Sequence, residues 1–563
     1  MAILKLEITN FRSMGDPGIA IEFADQTGLF ALIGANNAGK SNVLDALALV
    51  IGVRSGKFYN YDIQVTDFHD QDQSKTIQIK LTLATPIEIR NVYQQKCFID
   101  GFFLEAKSYA SGQEKGRIHV DHYCFGRNAK GKTEMPLMDS DHIYKQKKND
   151  EDEDIDNQRK PIPAKAYLSK VGQIFFLDIE HLESFFKVSG FGPLGRLFQL
   201  YRDDFQSDAS MYRYKDGDQE KSISSKEAYK RAAERLVDVL RTSKLNEIEE
   251  ALAQNISQYL GLNDPKATKL SLGLPSHDEI FDTITRLEIK ESSQLQPIEV
   301  SKLGKGYLSL FRLAALSTLA QMTNRDQAIY IIEEPEIYLH PHLRRYCHRT
   351  LKKLANRGNT VILATHSEEF VDINDYKSII RLTKSSICTH AFQVGASENL
   401  DFDKMKQKIK RKGNEELLFS SHALLTEGQD DQAVFLVALE KKGIEFDARS
   451  ISVIDCDSKT QIPDYIKLCK ALRIDYFVIF DTDRNNQCSA ADAQKIVSVI
   501  EKSQVRHHAF PDTLESALGT TKQSSENWRH LLSVLGENDW PAIKSAHPEF
   551  ATAVESFLSH LQG

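Results

Sequence analysis

The run Gly34-Ala35-Asn36-Asn37-Ala38-Gly39-Lys40-Ser41 constrains this chain more than any other stretch. An apolar segment, Leu29-Phe30-Ala31-Leu32-Ile33, leads straight into it, and a helical stretch from Asn42 to Val53 follows. Strand, glycine turn and helix in that order make a phosphate cradle. Successive backbone N–H groups at the helix N-terminus wrap an anion, and the glycines let the main chain come close to it. In such a loop Asn36, Asn37, Gly39 and Asn42 line a nucleoside triphosphate. Lys40 reaches its β- and γ-phosphates, and Ser41 ligates Mg²⁺.

Two later strands carry residues suited to the same nucleotide. Ile329-Tyr330-Ile331-Ile332 ends in Glu333-Glu334-Pro335. Glu333 is placed to hold the Mg²⁺ shell and Glu334 to orient an attacking water. Thr360-Val361-Ile362-Leu363-Ala364 runs into Thr365-His366-Ser367, where His366 can touch the γ-phosphate. A surface acidic turn and a structural histidine are the bland alternatives. Their repetition at the ends of two apolar strands weakens both. Ser301-Lys302-Leu303-Gly304-Lys305-Gly306 is a glycine turn opening a helix, a second anion site with Ser301 and Gly304 as its contacts.

A second chemistry stands near the end. Leu424-Leu425-Thr426 reads as a strand ending in Glu427-Gly428, with Asp431 in the first turn of the next helix. Tyr476-Phe477-Val478-Ile479-Phe480 is another, ending in Asp481-Thr482-Asp483. Either alone reads as an acidic cap or turn. Together they predict four carboxylates meeting outside the carboxyl ends of neighbouring strands, where open α/β sheets bind ligands. Asp481 and Asp483, two apart on an extended segment, then share a metal. Hard oxygen ligands suit Mg²⁺ or Mn²⁺, and two such ions can activate water and stabilise the leaving oxygen of a phosphodiester.

Totals bound the rest. The 563 residues suffice for two to four domains. No apolar run approaches the roughly 18 residues of a membrane helix, and Met1 to Glu7 alternates like a strand with no leader signature. Seven cysteines without a C-x-x-C pair suggest neither a zinc knuckle nor a disulfide framework, so a cytoplasmic setting is expected. A net charge of −8 argues against coating nucleic acid by charge alone; any such contact must use local patches or metal ions.

Along the chain, 1–90 reads as strand, loop, helix and strands, and 100–165 as polar and irregular. The acidic run Asp150–Asp154 reads as a mobile surface loop. Residues 170–290 are mostly helical in pattern, with Leu236, Val239, Leu240, Leu245, Ile248, Leu252 and Ile256 at helical spacing in a core or a dimer face. Lys404 to Lys412 is a basic connector, read as a solvated linker helix in preference to a DNA contact.

The order of the first set of motifs resembles the ABC-type ATPases. There the 301–306 turn closes over nucleotide held by a second subunit, which implies a homodimer. Ile8-Thr9-Asn10-Phe11-Arg12-Ser13 resembles the first strand of that superfamily's DNA-repair branch, and by that resemblance Arg12 contacts nucleotide. The later carboxylates resemble a Toprim domain. An ABC-type ATPase followed by a Toprim domain resembles the OLD (overcoming lysogenization defect) family. The resemblance implies an α/β fold: an ABC-type P-loop ATPase domain (1–165 and 293–400) interrupted by a helical dimerisation insertion (166–292). A basic linker (401–419), an α/β Toprim nuclease domain (420–525) and a helical tail (526–563) follow. It implies ATP, one Mg²⁺ or Mn²⁺ at the ATP site and two at the Toprim site, and DNA as substrate. It further implies antiphage defence, alone, beside a partner protein or with retron RNA/DNA, and no membrane. Glu515, in Thr513-Leu514-Glu515, is the candidate for a later family carboxylate, and Lys522 or Lys544 for the family's lysine. Asp455-Cys456-Asp457-Ser458 stands where Toprim domains often carry a glycine. The expected activity is ATP-regulated, metal-dependent DNA cleavage at Glu427, Asp431, Asp481 and Asp483. The alternatives are an ABC-type regulator or DNA-repair clamp with a non-cleaving Toprim module, and a topoisomerase, for which no nucleophilic tyrosine in a winged-helix domain is seen beside the Toprim unit.

Overall fold

The computed structural model describes residues 3–134 except 24–27, 55–56, 59–60, 91–95, 110–116 and 129–132. It then describes 328–483 except 386–387 and 395–412, and 506–562 except 523–526. Between 135 and 327 it describes residues 174–177, 201–205, 211–216, 219–240 and a few further short stretches, and between 484 and 505 two single positions. The chain forms two compact units, one of residues 1–179 with 326–563 and one of residues 180–325.

Among the described residues, the first unit carries three sheets of four or more strands, beside a two-stranded one at Val53–Arg54 and Lys57–Phe58. Strands β1 (Ile3–Thr9), β2 (Ile19–Glu22), β4 (Ile77–Arg90), β5 (Lys96–Ser108), β6 (Ile118–Asn128) and β7 (Thr133–Glu134) form an antiparallel sheet in the order β2-β1-β4-β5-β6-β7. Period-2 alternation specifies it. Ile77, Ile79, Leu81 and Leu83 are buried on one face of β4, with Gln78 and Lys80 exposed on the other. Within 100–165, expected to be irregular, residues 100–108 and 118–128 instead belong to two long paired strands, with Phe102, Leu104 and Ala106 buried. Their outward charges hid the alternation, because those charges pair on the sheet surface: Lys107 with Glu105 at 2.5 Å and Arg127 with Asp100 at 2.8 Å.

The second sheet runs β8-β11-β12-β3-β13-β14, from β8 (Ile174–Leu177), β11 (Ile329–Glu333), β12 (Thr360–Ala364), β3 (Leu29–Ile33), β13 (Ile379–Ser385) and β14 (Cys388–Phe392). All of its pairs are parallel except β13 with β14. Every residue of β3 and β12 is buried, as near-continuous apolar strands covered on both faces should be. Helix α1 (Lys40–Ile51) is apolar almost all round because it lies between this sheet and the antiparallel one. It stops where Gly52, at φ 67°, donates to Ala48 and Leu49.

The third sheet is parallel, in the order β16-β15-β17-β18, from β15 (His422–Thr426), β16 (Ile451–Asp455), β17 (Asp475–Asp481) and β18 (His507–Phe510). Helix α5 (Ile462–Ala471) covers one face, and α4 (Gln429–Lys441) the other. The tail helices α7 (Asn527–Leu535), α8 (Trp540–Ala546) and α9 (Pro548–Gln562) pack in the same core as α4, through Leu531, Ile543, Phe550, Val554 and Phe557.

The second and third sheets share one core. Ala31, Ile33 and Ile379 pack in it with Leu417, Leu425, Ile466 and Phe480. Arg381 of β13, 4% exposed, donates to the carbonyls of Leu472 and Arg473, each at 3.1 Å, and of Ser420 at 2.5 Å. Its register partner is Ile33, the residue before Gly34.

In the unit of residues 180–325, strands β9 (Met211–Asp216) and β10 (Gln219–Ser224) form a hairpin that leads into α2 (Ser225–Leu240). Val239, 76% exposed, lies on α2. Most of the helical pattern after residue 240, the acidic run 150–154, the connector 404–412 and Ser301 lie outside the described residues. No helix among the described residues is long and apolar enough to cross a membrane.

Arg381→Met leaves three buried carbonyls without their donor, at a cost of about 2–4 kcal/mol. The expected result is a lower melting temperature and faster hydrogen exchange in both β13 and residues 417–425. Unchanged exchange at 417–425 would show that Arg381 does not tie the two sheets.

Candidate active sites

The glycine loop joins β3 to α1, and its geometry requires its glycines. Gly34 has φ +147°, and a Cβ there would lie 2.2 Å from the Leu382 carbonyl oxygen; Gly39 has φ +100°, with Thr389 Oγ1 2.6 Å from a Cβ. That close approach is the cradle a triphosphate fits. The sheet order β11-β12-β3 brings the ends of β11 and β12 beside it. A cavity of about 160 Å³ is lined by Asn36, Asn37, Gly39, Lys40, Ser41 and Asn42 from the loop and by Glu333, Glu334 and His366 from the two strand ends.

Lys40 donates to the carbonyls of Gly34 at 3.0 Å and Ala35 at 3.1 Å. Burial lowers its pKa to about 8, against the pull of Glu334, Glu336 and Glu333. Ser41 hydrogen-bonds Glu333, so the two oxygens suited to one Mg²⁺ are already adjacent. His366 Nε2 lies 3.9 Å from Glu334 Oε1, and burial, aided by Lys40, lowers the histidine's pKa.

Arg12 does not line this cavity. Its guanidinium donates to Asp45 at 2.6 Å, Asp67 at 2.9 Å, Tyr61 at 3.2 Å and Asn42 at 3.3 Å. Burial opposes its charge, but the hydrogen bonds to Asp67, Asp45 and Tyr61 more than offset this and hold its pKa above the usual value. Its partners Asn42 and Asp45 stand on α1, and Asn42 itself lines the cavity, so Arg12 braces the helix from beside it. Gly304 lies in the other unit, exposed, where its carbonyl accepts the Leu308 N–H at 3.2 Å.

Glu336 is a residue that sequence reasoning missed. It is 7% exposed and accepts from Thr365 Oγ1 at 2.8 Å and from the His366 backbone N–H at 2.6 Å. It therefore fixes the turn that aims His366. Its signal was present as the third acid of Glu333-Glu334-Pro335-Glu336.

The second centre lies between β15 and β17, where the strand order of the third sheet reverses. The two strands are neighbours, in register from His422↔Asp475 to Leu425↔Val478. Glu427 accepts the Asp481 N–H at 2.5 Å. Asp431 caps its own helix, accepting from Gly428 N at 3.0 Å. Glu515, 7% exposed, accepts from Asn527 at 2.9 Å, and Asn527 also reaches Asp430 at 3.0 Å.

Asp483 departs from the expected geometry. At φ 47° it is left-handed, not extended, so its side chain does not simply parallel that of Asp481. It meets Lys459 instead, at 2.7 Å. Lys459, 6% exposed, also reaches Glu427 at 3.3 Å and the Asp481 carbonyl at 2.5 Å. The structure thus places Lys459 in this centre; Lys522 is exposed, and Lys544 pairs with Glu555 on the surface at 2.6 Å. Lys459 follows the β16 strand end, a position the sequence marks only through Asp455-Cys456-Asp457-Ser458. There Asp457 takes φ 68°, the conformation a glycine would adopt, and buried Asp455 accepts its N–H at 2.7 Å.

Burial, then mutual repulsion, raises the pKa of Asp431 and Asp481, and burial raises that of Glu427 against the pull of Lys459. Asp481 Oδ1 is buried without a hydrogen-bond partner. Among the described residues, no three such groups stand close enough to enclose a metal as they are. The donor set nevertheless fits a hard divalent cation: all oxygen, anionic, crowded, with one orphaned lone-pair site.

Residues 1–371 match the family profile described as AAA ATPase domain, and residues 418–483 match the overcoming lysogenization defect protein-like Toprim domain. The fold and the two centres define an ABC-type ATPase joined to a Toprim domain. The chain belongs to the AAA ATPase domain family and carries an OLD-like Toprim domain after it. It is 25% identical to the OLD nuclease of Thermus scotoductus over 98% of each chain. It is 27% identical to the Old nuclease of Escherichia phage P2 over 43% of each, and 23% identical to endonuclease GajA of Bacillus cereus over 86% of this chain and 75% of that one.

Two outcomes test these sites. Glu336→Ala should lower the ATPase kcat at least tenfold with ATP affinity little changed, since it acts through His366; equal kcat would remove its positioning role. Mn²⁺ should raise the melting temperature of the wild type but not of Asp481→Asn. The raised carboxylate pKa values mean that metal must displace protons, so the gain should grow from about pH 6 to about pH 8. A gain independent of pH would exclude these carboxylates as ligands.

Proposed function

We propose that this chain is an ATP-regulated, divalent-metal-dependent DNA endonuclease that works as a homodimer in antiphage defence. The observation that carries the reading is the meeting of Glu427, Asp431, Asp481 and Lys459 at the strand-order reversal of the Toprim sheet. That sheet shares its core with the strand that feeds the phosphate loop.

Glu427, Asp431 and Asp481 would hold Mg²⁺ or Mn²⁺, with Asp483 and Glu515 completing a second position. Bound there, the ions would supply an activated water and a Lewis acid for the leaving oxygen. Lys459 neutralises Glu427 and Asp483 and sets the loop after β17 through the Asp481 carbonyl. Its ammonium is placed to meet a phosphate oxygen once these carboxylates turn to metal. At the other centre Ser41 and Glu333 would hold the ion of Mg²⁺–ATP. Lys40 would leave its carbonyl partners for the phosphates, and Glu334 would orient water with His366 beside it.

The alternative, a regulator or DNA-repair clamp with a non-cleaving Toprim module, loses support from the intact carboxylate set. Support for the dimer comes from the 301–306 turn, which in ABC-type ATPases acts on a second subunit's nucleotide. Support for a role in defence comes from the likeness to OLD nucleases and to endonuclease GajA.

Incubation with supercoiled plasmid, varying Mn²⁺, Mg²⁺ and ATP independently, tests the reading. Nicked or linear product should need the divalent ion, and Asp481→Ala should reduce it by at least a hundredfold. Undiminished cleavage by that variant would place the chemistry elsewhere. Lys40→Ala should change the ATP dependence while preserving cleavage at fixed metal.

A further inference from the structure

The helix after Glu333-Glu334 is cationic on a chain whose net charge is −8. From Pro341 to Arg357 it and its C-terminal turn carry Arg344, Arg345, Arg349, Lys352, Lys353 and Arg357 and no acid. We call this helix α3 (Pro341–Ala355).

Its cations divide into two sets. Lys352 is held by Asp372 at 2.7 Å and Asp375 at 2.8 Å, and Arg344 lies 3.9 Å from Glu369. Arg345, Arg349 and Lys353 are exposed and make no ion pair among the described residues; Arg345 donates to His342 Nδ1 at 2.8 Å. They recur every four residues, so they form one stripe. Tyr346, 56% exposed, flanks it.

A solvated helix face would normally mix signs, because like charges four apart cost about 0.2–0.5 kcal/mol per pair. A single-signed stripe on an acidic protein is instead a match for a polyanion. Four residues of helix advance about 6 Å, and successive phosphates of one strand, rising about 3.4 Å each while winding round the axis, lie about 7 Å apart. The spacing of the stripe therefore suits successive phosphates of one strand.

The position also connects to the nucleotide. An open groove of about 890 Å³ has His342, Arg345 and Arg349 on one wall and His366, Ser367 and Glu368 on the other. His366 lines the ATP cavity as well.

We infer that the Arg345–Arg349–Lys353 stripe is a docking strip for the phosphate backbone of duplex DNA, lying against the turn that carries His366. The inference rests on the nuclease reading and adds where the substrate is held. A net-acidic chain needs such a local strip, and this one is separate from the carboxylate centre that would cut.

The test is fluorescence anisotropy of a labelled duplex against full-length protein over a salt series, with chelator present so that no cleavage occurs. The triple variant R345Q/R349Q/K353Q should bind more weakly, with a salt slope shallower by about 2.7, roughly 0.9 for each lost phosphate contact. Its affinity for a fluorescent ATP analogue and its melting temperature should match the wild type. An unchanged slope overturns the proposal while leaving the nuclease reading intact. An unchanged slope with a changed oligomeric state by light scattering would mark the stripe as a contact between copies, and also overturns it. No salt-dependent binding by the wild type also overturns the proposal. Plasmid cleavage by the wild type, measured separately, tells a failure of the strip from a failure of the nuclease reading.

Discussion

The arrangement depends on a buried guanidinium. Arg381 stands one strand from the phosphate loop, level with Ile33, and its three hydrogen bonds all end on backbone carbonyls of the Toprim side. Burial lowers its pKa to about 10, so the charge is held at a cost and only because these carbonyls solvate it. Around it, side chains from β3 and β13 interleave with those of β15, β17 and α5. Two centres that sequence reading can only list in order are thereby fixed to one body. Along the sequence the two centres are joined through the connector at Lys404 to Lys412. The described contact is shorter: loop, β3, β13, Arg381, Ser420, β15, Glu427. Close-packed interiors shift between discrete arrangements more readily than they deform, so a change at the loop has a rigid route to the strand that carries Glu427.

What the sequence showed and what it hid divide along a physical line. The phosphate loop, the two acid-ending strands and the Toprim strand pair were legible because each is local: a fully apolar run of about five residues followed by a chemically distinctive turn. Their neighbourhood followed from the rule that open sheets bind ligands at the carboxyl ends of strands, and the registers agree with it. The strands within 100–128 were not legible, because their exposed faces are charged and pair across the sheet, so composition resembled a loop. Lys459 and Glu336 were missed for another reason. Each acts by reaching a segment 22 to 30 residues away, and no spacing rule encodes such a contact. Arg12 lies between these cases: its motif position marked the side chain, and the structure adds tertiary partners, Asp45 and Asp67, that no motif specifies.

The two centres are electrostatic opposites. At the phosphate loop the buried cation Lys40 is solvated by carbonyls, and burial lowers its pKa because no carboxylate touches it. An anion arriving there gains from a charge already desolvated and aimed, which is the preorganised condition for binding a triphosphate. At the Toprim centre the excess is negative. Glu427, Asp431, Asp481, Asp483 and Glu515 outnumber one lysine, Lys459, whose pKa is raised by Asp483 and Glu427 despite its burial. Lys459 offsets only part of that repulsion, since the pKa values of Asp431 and Asp481 stay high. A cation arriving there relieves a cost that folding has already incurred. On the proposed reading the same lysine would then share its carboxylates with the ion, leaving an ammonium free for a phosphate oxygen. One sequence can thus bind ATP and a polyanionic substrate at separate places with a net charge of −8. The crowded acids of the Toprim centre are where a divalent ion would be taken up, and positive charge stands apart from them at Lys40 and along α3.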